Sequence, residues 1–421
     1  MTTQTPTLRA STRPMSTEGS LTDWVSAENP LTIQRLGNGV VGLGQALVLR
    51  FRGPHRFADA ASAWRAICDA ASVDNPLEEP GTGLVCFGTF AFSDESSMES
   101  VLIVPRVVIG RSGGQSWRTE ITVEGESPEA SPPHRSTPGS FEPLDWQPGL
   151  MSEVDYQAQV SRIISSAQDG AVDKVVLARD LVARAPGIKD WRLALTRLAE
   201  SYPDCYTFAI DGLVGSSPET LAVVRDRRLG IRVLAGSIGR GASPAVDRAA
   251  AQSLITSSKD QDEHRYAVTS VMESLAGVTP HVVADDQPFT VKLANVWHLA
   301  TDIEATLPEG VTALDVVAAV HPSAAVAGSP RDAALEFIEA SEPFDRGRYA
   351  GPVGWMDQAG NGEWAIALRC AQWTPEGTIT AYAGAGVVAD SDPAAELLET
   401  RLKFKPVIMA FGGDQDAPLA R

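Results

Sequence analysis

A chain of 421 residues with 43% hydrophobic and 21% charged content can bury a sizeable core and is not disordered in bulk. Its 35 basic residues stand against 53 acidic ones, a formal net charge of -18, which excludes nucleic acid because no basic surface could dominate. That field also repels anions at long range, so an anionic substrate would call for a local cation such as a bound metal.

The first 22 residues are rich in Thr, Ser and Pro and lack an apolar run, so they read as a disordered lead rather than a secretory signal. No run of 18 apolar residues occurs, and no membrane span is expected. The four cysteines (Cys68, Cys86, Cys205 and Cys370) follow neither C-x-x-C nor zinc spacing and read as reduced thiols of a cytoplasmic protein. Short apolar runs across residues 30–110, such as Ala46–Leu49 and Ser100–Val104, suggest strands, with a helix from His55 to about Ala71. Residues 127–148 are dense in Pro, Ser and Gly and read as a surface loop or linker. It closes an N-terminal part over residues 23–150 and leads into a second region over residues 151–412.

Beyond the linker the pattern is regular. Ser152 with Asp155 resembles a capping box, and Tyr156, Val160, Ile163 and Ala167 recur at helical spacing up to Gly170. Strands are expected at Lys174–Ala183, Cys205–Asp211, Thr220–Val224 and Gly230–Val233, with a helix over Trp191–Glu200 between the first two. A long helix over Pro244–Leu275, broken near Ser257, precedes helices over Leu314–Val320 and Arg331–Ala340. Gly351–Asp357, Trp364–Trp373 and Thr378–Val388 read as three consecutive strands, and Pro393 opens a final helix to about Met409. Strands in runs, punctuated by helices, predict an α+β architecture with mostly antiparallel sheets.

Several residues could carry chemistry. Asp260 and Glu263 are three apart, as are Glu396 and Glu399, with Lys403 four beyond, so each set shares a helix face. Two such carboxylate pairs facing each other would form an oxygen cage suited to Mg²⁺; alternatively, Glu399–Lys403 is an ordinary exposed salt bridge. Lys174 opens an apolar strand, where a lysine is either solvated or, if buried, a base near neutral pH. Glu219 follows Ser216-Ser217-Pro218 at a strand entry, a position common for surface turn residues. Arg369 lies among apolar residues and needs a carboxylate partner, from a ligand or from the protein itself. Gly384 and Gly386 allow close backbone approach, for a ligand or for packing. His298, between Trp297 and Leu299, reads as a structural histidine of the core.

In this order the motifs resemble a known family. Asp173-Lys174-Val175-Val176-Leu177-Ala178-Arg179, Ser217-Pro218-Glu219, Leu234-Ala235-Gly236-Ser237, Lys259-Asp260 with Glu263-His264, His321 to Gly328, Phe344-Asp345-Arg346-Gly347, Tyr349 to Trp355, Arg369-Cys370-Ala371, Ala383 to Val388, and Glu396 with Glu399-Thr400 resemble the chorismate-utilising enzymes. These include isochorismate synthases, salicylate synthases, anthranilate synthase component I and aminodeoxychorismate synthase component I. The resemblance covers about residues 150–410 and is loose before residue 150. It implies an anthranilate synthase component I-like fold, with large, mostly antiparallel sheets and helices packed outside.

The resemblance also implies an isochorismate synthase that adds water at C2 of chorismate and expels the C4 hydroxyl. Lys174 would be the general base and Glu219 the general acid. Glu263 and Glu399 would bind Mg²⁺, with Glu396 and Asp260 in support. Arg369 and Tyr349 would meet a carboxylate of chorismate beside the Gly384 backbone. Gly236 and Ser237 would line the C4 side, and Lys403 would sit near the metal-bound carboxylate. Lys rather than Gln at Lys174 implies water rather than ammonia as nucleophile, hence no glutaminase subunit, and a monomer suffices. Ala235 lacks the nucleophilic lysine of some aminodeoxychorismate synthases. Ala325 stands where salicylate synthases tend to carry Thr, so isochorismate is the implied product and salicylate the alternative. Ser323-Ala324 departs from the commoner Thr-Pro. The product would feed menaquinone or siderophore biosynthesis.

Overall fold

The computed structural model describes residues 6–16, 19–126, 135, 137–186, 188, 190–292 and 296–413, and the side chains of Lys259, Glu263 and Val296 lie outside that description. Two large sheets carry the fold, one of 13 and one of 10 strands among the described residues. One pairing is parallel, between Leu8–Pro14 and Ser72–Asp74; the other ladders are antiparallel. The α+β architecture with helices outside large, mostly antiparallel sheets is the expected one. Among the described residues no helix is long and apolar enough to cross a membrane.

Alternation of side chains explains which strands lie where. Val85–Thr89 and Ser100–Val104 are buried on both faces and run through the second sheet. Gln115–Val123 alternates, turning Trp117, Thr119 and Ile121 inward. Residues before 127 supply strands to both sheets, including Leu31–Arg35, which pairs with Tyr206–Ile210 of the following region.

Helices are punctuated as the sequence indicates. The Ser152 side chain caps Glu153–Gln168, and Asp392 with Pro393 opens Pro393–Ala410. These two helices pack together against the first sheet. Ser257 ends Pro244–Thr256 and caps Ser258–Leu275, so the expected break is real, and both helices lie on the second sheet.

Three expectations are corrected. The lead is not disordered throughout, because Leu8–Pro14 forms a strand along Gln115–Val123. Leu8, Ala10 and Thr12 alternate inward, and burying Leu8 alone gains about 1.5–3 kcal/mol. Of the 127–148 segment, residues 127–134 and 136 lie outside the described residues, while Trp146–Pro148 is a strand paired with Leu181–Ala183. Trp364–Trp373 is not one strand. Gly362–Ile366 belongs to the second sheet and Cys370–Trp373 to the first, and the chain crosses between them. A further strand, Leu213–Ser217, completes a hairpin with Tyr206–Ile210.

Candidate active site

Two neighbouring crossings between the sheets bear charged residues. The chain leaves the first sheet after Ser217 and enters the second at Thr220; it returns between Ile366 and Cys370. Glu219 stands at the first crossing and Arg369 at the second. The Ile366 amide donates to the Glu219 carbonyl (3.1 Å) and the Ser216 amide to the Arg369 carbonyl (3.2 Å), so the crossings brace each other. Arg369 has φ +49°, a left-handed conformation uncommon outside glycine that the surrounding ladders hold in place.

The first sheet contributes Lys174, at the start of Lys174–Arg184. This strand pairs with Thr378–Val387, with Val176 opposite Gly386 and Ala178 opposite Gly384. A Cβ at Gly386 would lie 2.7 Å from the Lys174 Cε, so the missing side chain is what lets the lysine lie across the neighbouring strand. A Cβ at Gly384 would lie 2.9 Å from the Leu177 carbonyl oxygen and 3.1 Å from the Tyr349 hydroxyl. Tyr349 is buried and stacks on Tyr382 with ring centroids 5.3 Å apart. Gly384→Ala is therefore expected to overpack this point and destabilise the protein by about 1–3 kcal/mol, read as a lower urea midpoint.

Pro393–Ala410 brings the next charges. Lys403 Nζ donates to Glu399 Oε1 (2.6 Å) and to the Gly384 carbonyl (2.8 Å), which ties the helix to the glycine strand. The Glu399–Lys403 salt bridge therefore forms, with Lys403 25% and Glu399 48% exposed. Glu396, one turn earlier, accepts from the Ser391 hydroxyl at 2.8 Å.

The electrostatics link these groups. Burial pushes the Glu219 carboxyl up to about 7 against the pull of Lys174, Lys403 and Arg369. Glu219 keeps a partial opening to solvent, yet protein crowds it closely enough to disfavour its charge. Burial lowers both Lys403 and Arg369, though Glu399 pulls the other way on each. Burial also pushes Glu399 up, but Lys403, Arg369 and Lys174 outweigh it and leave it below the ordinary value. Glu396 is raised by burial and by Glu399.

The second sheet supplies the remaining positions. Arg228–Gly239 bulges between Ala235 and Ser237, where Gly236 takes φ +75°. A Cβ there would meet Asp260 at 3.2 Å, so the helix carrying Asp260 packs directly on the bulge. His264 from that helix contacts the Ala235 carbonyl and the Thr301 hydroxyl. Ser237 is exposed and lies opposite His298.

Lys174, Glu219, Arg369, Glu399 and Lys403 thus act on one another, with Gly384, Tyr349 and Glu396 beside them. Ala325 is partly exposed in the loop before Gly328–Ser329, which pairs with Lys174 and Val175. Glu263, expected from the sequence as a metal ligand, lies on Ser258–Leu275, and its side chain is outside the described residues.

Among the described residues no three His, Cys, Asp or Glu side chains gather as a metal cage. Even so, Glu396 and Glu399 fit a hard cation chemically: they are oxygen donors one helical turn apart, and Glu399 raises the proton affinity of Glu396. His298, read from sequence as structural, belongs with the charged group. Burial, Lys403 and Arg369 hold it down to about 4, and its ring bonds the Gly236 backbone. Its register opposite Ser237 could have revealed it, had the bulge been legible.

Known proteins share this fold. The profile of the family described as chorismate binding enzyme matches residues 33–412. The salicylate biosynthesis isochorismate synthase of Pseudomonas aeruginosa is 33% identical over 409 residues, covering 90% of this chain and 84% of its own. Among solved structures, the menaquinone-specific isochorismate synthase MenF of Escherichia coli superposes with TM-score 0.77 at 24% identity, covering 97% of this chain and 95% of its own. Anthranilate synthase component I of Streptococcus pneumoniae gives 0.71 at 18% identity, covering 94% and 95%, which relates the folds alone. The profile spans most of the chain and the Pseudomonas relative most of both lengths: the chain belongs to the isochorismate synthase family of chorismate-binding enzymes.

Proposed function

We propose that this chain is an Mg²⁺-dependent isochorismate synthase that stops at isochorismate. The observation that carries this reading is the crowded Glu219 carboxyl at the crossing between the sheets, raised toward neutrality beside Lys174, Arg369 and Lys403. An acid with a proton affinity near neutrality beside the Arg369 and Lys403 cations suits a dianionic substrate that must lose a hydroxyl.

In this reading Lys174 takes a proton from the water that attacks C2. Glu219 gives its proton to the departing C4 hydroxyl, and the ring double bonds shift between the two carbons. Water is consumed at C2 and released at C4, so the net change is an isomerisation. Arg369, with Tyr349 and the Gly384 backbone, holds one carboxylate of chorismate, and Lys403 lies near the other. Gly236 and Ser237 border the C4 side. Glu263 and Glu399, supported by Glu396 and Asp260, would hold Mg²⁺. The ion supplies charge neutralisation and a template for the ring carboxylate. Ala325 leaves the product intact where a Thr accompanies pyruvate elimination. The enzyme acts in the cytoplasm without a glutaminase subunit, as a monomer, and its isochorismate supplies menaquinone or siderophore assembly.

Incubation with chorismate and Mg²⁺ tests the reading. The expected result is a reversible mixture of chorismate and isochorismate. Salicylate with pyruvate would identify the alternative activity, and an aminated product from ammonia would overturn the role of Lys174. Glu399→Gln is expected to move the Mg²⁺ requirement to higher concentration by about tenfold or more, read by titrating activity against free Mg²⁺. An unchanged titration would remove Glu399 from the metal site.

A further inference from the structure

The strand headed by Lys174 has an incompletely paired edge. Lys174–Arg184 pairs along one side with Thr378–Val387. Among the described residues its other side meets strands only at its ends: Gly328–Ser329 at Lys174–Val175, and Trp146–Pro148 at Leu181–Ala183. Between them, alternate residues turn their backbone groups outward, as antiparallel geometry dictates. The Val176 amide donates to the Ala327 carbonyl (2.8 Å), and the Asp180 carbonyl accepts from the Gly149 amide (3.0 Å).

Two groups in the gap bond to side chains instead. Arg346 Nη2 donates to the Val176 carbonyl at 2.6 Å, and the Ala178 amide donates to Glu342 Oε1 at 2.8 Å. Arg346 and Glu342 also grip each other in a two-pronged pair, at 2.8 and 2.6 Å. Arg346 Nη1 then donates to the Val326 carbonyl at 2.9 Å. Both side chains are almost fully buried, at 3% and 2% exposure.

We infer that the Glu342–Arg346 pair is a positioning device that stands in for a missing strand and fixes Lys174 relative to the Ala325 loop. The pair reaches the strand two residues after Lys174 and the loop one residue after Ala325. Apolar residues could fill the same volume, and a buried ion pair often adds little stability over them. They could not receive the Ala178 amide or supply donors to the Val176 and Val326 carbonyls. A planar guanidinium forked onto a carboxylate fixes direction as well as distance. Register is therefore what the pair provides, at the point where a small displacement of a reacting group is costly.

This inference rests on the proposed chorismate reaction, and its test separates the two. Wild type, Glu342→Gln and Arg346→Lys are compared well below their unfolding midpoints for kcat and KM toward chorismate. Amide hydrogen exchange is followed across residues 175–178 and 326–328, with residues 380–386 as an internal reference. Glu342→Gln should lower kcat by about 10- to 100-fold while KM changes by less than about threefold, as expected when a reacting group is misplaced but binding persists. Exchange at Ala178 should rise by about tenfold or more relative to the reference strand. Arg346→Lys keeps the charge and loses the fork, and should show the same pattern; it carries the test if the Gln variant does not fold. A lower unfolding midpoint with unchanged kcat would make the pair merely structural and overturn the inference. Exchange that stays uniform in both variants would overturn it whatever the reaction. No turnover of chorismate by the wild type would instead overturn the proposed function, and the exchange arm would still decide the role of the pair.

Discussion

Lys174→Ala is expected to lower kcat for chorismate isomerisation by about 10²- to 10⁴-fold, the usual size of a lost general base. Chorismate binding should persist, because Arg369, Lys403 and Tyr349 are untouched. The lysine lies over Gly386, whose missing Cβ leaves room for it. Truncating it to Ala opens space at the cluster without removing a core side chain, since Lys174 is only part-buried. The variant should therefore fold normally. Single-turnover kinetics with a binding titration would show the split, and near-normal turnover would take Lys174 out of the mechanism.

Glu219→Gln is expected to cost a similar factor in kcat, and it makes a second, independent claim about pH. Burial raises the folded-state carboxyl to about 7, above its ordinary value of 4.5. An acid catalyst must carry its proton, so wild-type activity should decline as pH rises through about 7. The Gln variant should lose that limb of the profile. Stability should follow pH in the same direction as wild-type activity. A carboxyl whose folded value is raised favours the native state at low pH and opposes it once the group ionises. The stabilising contribution is fully present below the unfolded value and is lost as pH rises through about 7. Glu219→Gln should therefore raise the unfolding midpoint at pH 8 and leave it nearly unchanged at pH 4. A midpoint difference independent of pH would contradict the raised carboxyl.

The parts of this molecule legible in the sequence are those set by local chemistry. Ser152, Ser257 and the Asp392-Pro393 pair mark helix ends because their side chains or rings act within one turn. The spacing of Glu396, Glu399 and Lys403 shows their shared face, and the 2.6 Å contact between the last two follows from it. What was hidden depends on distant partners. The apolar run Trp364–Trp373 resembles a single strand, because nothing in its composition records that Arg369 takes a left-handed turn between two sheets. Leu8–Pro14 looks disordered within a lead rich in Thr, Ser and Pro, yet Gln115–Val123 supplies the ladder that orders it. Glu342 and Arg346 have no recognisable spacing signal beyond i,i+4. Their role appears only when Val176, Ala178 and Val326 are beside them.

The two crossings at Glu219 and Arg369 bear on how the protein is made. Residues 32–34 pair with residues 207–209, and the strand of Lys174 pairs with one ending at Val387. Such distant pairing must wait for the whole of the intervening chain, and assembly of this kind is slow. During synthesis, the groups at the seam remain apart until nearly all of this chain has emerged from the ribosome. A fragment cut at the Pro-rich segment would expose the unpaired edge of Tyr206–Ile210 and invite aggregation. Activity should therefore be gained all at once, late in biosynthesis, with no catalytically competent intermediate before it.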